Sequence, residues 1–310
     1  MTFSPDVPPS ALGANEYNDG LNVETDVRGI RSVAGDQEIL NSIPGTPTFM
    51  SGGYRLEDEF WFIVATTEGH WYASNGTIDW YEITPPGGPI PGYTQSTNIT
   101  EAWSGTIPFF NDSLTPPMFW PDEPGAILVQ YSNTLPVGID NIEYYSPTEQ
   151  KLTFSTSYAT IPFLPGSQIL ISGVDNFYNG TFTVTDCTVD YVIYLAIPGG
   201  AYPGGGTVSP AYTWNYNPNW KSYTAGFLRI YNTPNVGSIL IAGNLTATLL
   251  DDSVVNYPVT VQWSQSFGLN QAPLTWQPTI TNIANQLEVP LRGACVDGFA
   301  FNGQFFSCAA

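Results

Sequence analysis

Positive charge is what this sequence has least of. Seven Lys and Arg face 27 Asp and Glu in 310 residues, a formal net charge of −20. A chain of this balance is not built to hold nucleic acid through its phosphates, which requires cations. A polyanion would slide past it, and the plainest role of the charge is solubility. Charged residues of both signs make up 11%, against about 25% in ordinary globular domains. Histidine is nearly absent too: His70 alone supports neither a multi-histidine metal site nor the usual proton relays within one chain. Three cysteines, Cys187, Cys295 and Cys308, are widely spaced without a C-x-x-C, which argues against a disulfide scaffold or a zinc site. The opening MTFSPDVPPS has neither a basic region nor an apolar run, so no signal peptide is visible. No stretch approaches the ~18 apolar residues of a membrane-spanning helix, and no membrane binding is expected.

Uncharged polar residues, 30 Gly, 27 Pro and abundant aromatics take the place of charge. That mixture suits short strands and many turns, and suits long helices poorly. The fold class expected is all-β. Residues 1–48 read as an N-terminal arm with the first strands, with a tight-turn signal at Asn18-Asp19-Gly20 and alternation in LNVETDVRGI. Residues 49–149 hold the clearest unit. Within 49–84, GGYRL, EFWFIVATT, GHWYAS and DWYEIT are four short strands separated by tight loops, the size of one β-propeller blade. A second unit starts at EAWSGTIPFFNDSLTPPMFW. Residues 150–210, about five strands with turn-rich edges at YYSPTEQ and GGGTVSP, read as a small β-sandwich or barrel inserted in a loop. Residues 211–310 return to hairpins and finish with GACVDGFAFNGQFFSCAA, a faint echo of the second unit. Because this last unit stops in mid-strand, the natural chain is expected to continue beyond Ala310.

Catalytic candidates are few. His70 lies in a short aromatic strand, where a packed or hydrogen-bonded ring is expected rather than a triad member. Glu57, Asp58 and Glu59 could pair as acid and base, but three adjacent acids in RLEDEF read as a solvated hairpin loop. PGGGTV has no following helix to carry a phosphate, and DNFYNG lacks the dense oxygen ligands of a calcium loop. No enzyme activity, cofactor or metal is expected.

The aromatics say more. Trp61, Trp71, Trp80 and Tyr81 fall within 21 residues, and Trp103, Phe119 and Trp120 follow. In a lectin such rings stack on sugars; in a propeller most are core between blades. The prolines of NDSLTPPMFW sit where no strand donor is needed, so they fix the angle at which an apolar wedge enters. Met118, Phe119 and Trp120, with Trp71 and Trp80, are the residues expected to form that wedge.

Several segments in chain order carry a resemblance: DVPPSALGANEYNDGLNVETDVRGIRSVAGD, GHWYASNGTIDWYEITP, FFNDSLTPPMFW and FLRIYNTPNVGSILIAGNLT, followed by YPVTVQWSQSFGLNQAPLTWQPT. The chain resembles the nozzle, or tail-accessory (head-completion), proteins of short-tailed bacteriophages. The insert separately resembles small β-domains of phage tail and fibre proteins, through GSQILISGVDNFYNGTFTVTDCT. The resemblance implies a six-bladed propeller-like body, incomplete in this chain because about 250 residues outside the insert are few for six blades. It implies a hexameric ring below the portal and adaptor, in the phage tail of the virion. That ring would retain the packaged genome and pass it at ejection without binding DNA specifically. The adaptor ring, and tail fibres or other tail proteins, are the implied partners. The alternative from a different class is a carbohydrate-binding β-protein, a tail fibre or receptor-binding module using exposed Trp and Tyr.

Overall fold

The computed structural model describes the strand backbone at 2–3, 16–17, 23–26 and 29–32. It describes residues 40–309 except 56–57, 77–78, 198, 215–216, 218, 234–236, 291 and 302–303, and the side chains at 233 and 301. Among the described residues there is no α-helix. The chain divides into two units, Met1–Asn41 and Ser42–Ala310. In the first, β1 (Thr2–Phe3) pairs with β2 (Glu16–Tyr17) in parallel. β3 (Val23–Asp26) and β4 (Gly29–Ser32) form an antiparallel hairpin within the stretch whose alternation predicts a strand. The turn expected at Asn18-Asp19-Gly20 lies outside the described residues.

The second unit opens with a four-stranded meander: β5 (Pro47–Tyr54), β6 (Phe60–Thr66), β7 (Trp71–Ser74) and β8 (Tyr81–Glu82), side by side in chain order. Four strands are expected here from the sequence; β6, β7 and β8 fall within EFWFIVATT, GHWYAS and DWYEIT, whereas β5 starts at Pro47, five residues before GGYRL. The β6–β7 turn depends on Gly69, whose φ of +85° and whose approach to the Ile90 carbonyl leave no room for a Cβ. A second meander has β9 (Thr100–Ser104), β10 (Ile107–Asn111), β11 (Met118–Phe119) and β12 (Val129–Gln130). Its first hairpin turns in two residues, with Gly105 at φ +60° as a tight right-twisted hairpin needs.

The next six strands close into a barrel. They are β13 (Val137–Ser146), β14 (Glu149–Phe154), β15 (Gln168–Ser172), β16 (Gly180–Cys187), β17 (Tyr191–Leu195) and β18 (Thr207–Pro210). Their order is β13-β14-β17-β16-β15-β18, and β18 returns to β13 to close the ring. This corrects the boundary expected at residue 150. The barrel begins at Val137, and YYSPTEQ is its first hairpin turn rather than its edge. Turn residues mark a hairpin inside a domain as readily as a junction between domains, so composition alone could not separate the two. Leu152, Ile169, Ile171, Val192, Tyr194 and Val208 fill the interior, as expected for a small barrel.

A third meander follows, with β19 (Trp220–Thr233), β20 (Gly237–Leu249), β21 (Val254–Trp263) and β22 (Asn285–Glu288). The hairpin β23 (Cys295–Phe301) and β24 (Gln304–Ala309) ends the chain. Cys187, Cys295 and Cys308 are all free thiols.

Three cores join these sheets into a stack. The first combines Ile63, Ala65, Trp71 and Ala73 of the first meander with Phe110, Met118 and Trp120 of the second. Another combines Phe109 and Phe119 with Leu228, Leu240 and Ala242 of the third meander. The last combines Phe227, Ile241 and Val261 with Cys295 and Phe305 of the terminal hairpin. Successive side chains of a strand point to opposite faces. Phe109 and Phe110 therefore serve different cores, as do Met118 and Phe119. Burying one such ring contributes roughly 1.5–3 kcal/mol by area.

Candidate functional site

The second meander shows what the NDSLTPPMFW segment does. Asp112, almost fully buried, accepts the amide hydrogens of Leu114 (2.9 Å) and Thr115 (2.8 Å) and so folds the turn. Its other oxygen accepts the Tyr93 hydroxyl at 2.7 Å, and that hydroxyl accepts from Trp71 Nε1 at 3.2 Å. Burial, reinforced by the Asp112 charge, pushes the Tyr93 phenol far above its ordinary value. The prolines have no N–H to leave unsatisfied, and their carbonyls are used: Pro117 accepts the Tyr131 amide at 2.9 Å and Pro116 the Gln130 side chain at 3.3 Å. The rigid turn thus delivers three consecutive large side chains. Met118 and Trp120 enter the core shared with the first meander, and Phe119 enters the core shared with the third. Trp71 lies fully buried in the same core as Met118, whereas Trp80 is half-buried just before β8.

Beside this wedge the chain bends around Arg55. The residue stands at the end of β5, next to the acidic run, yet its side chain is only 5% exposed. Its guanidinium donates to the carbonyls of Trp120 (3.1 Å) and Pro121 (2.6 Å), pairs with Asp122 at 3.2 Å, and lies 3.6 Å from the Trp120 ring centroid. Burial draws its pKa down to about 10, with Asp122 opposing the shift.

Arg55 and Trp120 form the floor of an open groove of about 580 Å3 along β8. Trp61 meets Trp120 edge to face at 5.3 Å and is tilted 33° to Tyr81 at 6.2 Å. The Tyr81 side is open to solvent, with half of the residue exposed. Glu59, Glu82, Asp122 and Glu123 also line it beside Ile83 and residues 124–126, so that among the described residues four carboxylates face one guanidinium. Asn75 Nδ2 donates to Glu59 at 3.0 Å. Glu82 Oε1 lies 2.6 Å from His70 Nδ1 and accepts the Thr84 hydroxyl at 2.8 Å, and these contacts, His70 first, hold its carboxyl below the usual value. A smaller cavity of about 210 Å3 lies where Tyr131 and Tyr212 meet Phe163 and Leu164 of the barrel, and among the described residues none of its lining side chains carries a charge.

Of the positions singled out from sequence, Trp71, Met118 and Trp120 share one core, and Glu59, Trp61, Tyr81 and Trp120 line one groove, but no catalytic set is assembled from the described residues. His70 stacks on Tyr72 at 6.0 Å and pairs with Glu82. Asp58 and Glu59 are exposed, and Glu57 lies outside the described residues. Trp71 and Trp120, the rings that a lectin reading would put against a sugar, are covered by protein. Tyr81, counted with the aromatics expected to be mostly core, is exposed instead. Arg55 was not anticipated: no local pattern shows that a basic residue beside three acids folds inward onto carbonyls 65 and 66 residues away.

Among the described residues, no group of three or more His, Cys, Asp or Glu is arranged to hold a metal ion. No helix among them is long and apolar enough to cross a membrane. No protein-family model and no curated protein matches this chain.

Proposed function

We propose that this chain is a structural protein of a bacteriophage tail. In this reading it assembles into a ring, expected to be a hexamer, that retains the packaged genome and lets it pass at ejection. One observation carries the reading: three meanders of four sequence-consecutive strands, followed by a hairpin, each packed on the next through a shared core. Blades of a propeller-like body stack in this way, because no blade can bury both faces alone. The barrel between the second and third meanders fits an inserted domain open to fibres or other tail proteins. The acidic balance fits a channel that DNA crosses without sticking, since six copies at −20 carry a formal −120. The reading carries no catalysis. A carbohydrate-binding fibre module is less well supported, because Trp71 and Trp120 present no open ring face.

Light scattering of the purified chain tests the proposal. A particle of about 202 kDa, six copies of 33.7 kDa, is expected, with no retention of duplex DNA at physiological salt. A monomer at high concentration that captures DNA would contradict it.

A further inference from the structure

We infer that the groove along β8 binds a lysine- or arginine-bearing segment of a partner polypeptide. The inference does not depend on ring assembly. The molecule already holds one such contact, the Arg55 guanidinium on the Trp120 face with Asp122 alongside. Towards solvent the same elements recur with no Lys or Arg among the described lining residues: the Trp61 and Tyr81 rings, flanked by Glu59, Glu82 and Glu123. Glu59 and Glu82 are pinned by Asn75, His70 and Thr84, so they are oriented before a ligand arrives. Among the described lining residues Arg55 is the one Lys or Arg, and it is already paired with Asp122.

That imbalance selects the ligand. An anion is repelled, and a neutral sugar could use the carboxylates as hydrogen-bond acceptors but would not neutralise their charge. An ammonium or guanidinium gains both the ring faces and the carboxylates. At about 580 Å3 the groove is far larger than a lone ammonium and has room for a long side chain with its flanking backbone. Among the described side chains, Arg55, Lys151, Lys221 and Arg229 are each paired within the chain, and a chain with seven Lys and Arg against 27 Asp and Glu is a poor source of a further cation. On that charge balance we assign the cation to a different polypeptide, one richer in Lys and Arg.

Isothermal titration of the full chain with acetyl-Gly-Ser-Arg-Ser-Gly-amide tests this, alongside its lysine and citrulline counterparts. Saturable one-site binding of the arginine and lysine peptides is expected, with citrulline at least about 10-fold weaker. Tyr81→Ala should weaken binding about 5-fold or more, and Glu82→Gln with Glu123→Gln about 10-fold. A control pair of exposed acids, Asp140→Asn with Asp251→Asn, removes the same charge elsewhere and should leave affinity within about twofold. Circular dichroism establishes that each variant is folded. Equal loss in the control pair would reduce the effect to general attraction by an acidic protein and overturn the inference. So would equal affinity for citrulline, or no binding of any peptide. Binding of chitotriose or maltotriose that is lost in Tyr81→Ala, with the cationic peptides unbound, would make the groove a saccharide site instead.

Discussion

The second meander and the barrel differ in how many faces they bury, and their sequences show it. All five residues of β10, Ile107–Asn111, are buried, because this sheet lies between two others. β14, Glu149–Phe154, alternates between half-buried and buried side chains, because a barrel hides only its inside. A strand covered on both sides reads as an unbroken apolar run, and one covered on a single side reads with period two. The same contrast governs polar groups. Arg55 and Asp122, at the stack, have side chains 5% and 11% exposed, whereas Lys151 and Glu143, on the barrel, are 29% and 48% exposed.

Mutations should break this contrast unequally. The largest effect is expected at Phe110, which is fully buried and packs 4.8 Å from the Trp71 ring centroid. Phe110→Ala should cost about 3–5 kcal/mol in urea unfolding followed by tryptophan fluorescence. Next comes Asp122→Asn, which leaves the Arg55 guanidinium without its counter-charge and should cost about 3 kcal/mol. Glu143→Gln, which removes the ion pair on the barrel, should cost under about 1 kcal/mol in the same assay. Asp112→Asn weakens the charge-assisted bonds that shape the proline turn and should cost about 2 kcal/mol, with the Tyr93 phenol titrating closer to its ordinary range. The smallest effect belongs to the outward face of the barrel, where Thr153→Lys should change stability by less than about 0.5 kcal/mol. If Thr153→Lys proved as damaging as Phe110→Ala, the distinction between one and two buried faces would fail.

Much of the fold was legible because its signals are local. EFWFIVATT and GHWYAS between Gly and Asn turns mark β6 and β7, and IPFF marks a strand buried on both sides. The wedge could be foreseen in part, since prolines next to Met118, Phe119 and Trp120 exclude a central strand donor. Its division between two cores follows from strand alternation once the neighbouring sheets are placed. The barrel's first strand was missed because β13 precedes a turn whose composition also suits a domain junction. The groove was not legible at all. Arg55 reaches Trp120 and Pro121 only through the tertiary fold, and the exposure of Tyr81 depends on β8 being the outer strand of its sheet.

The measurement closest to the central claim is electron microscopy of the purified chain. Class averages showing a six-fold ring with an axial channel, the barrels projecting from the stacked sheets, are the predicted result. A compact monomer, or a trimer on slender fibres, would contradict the ring and turn attention to receptor binding.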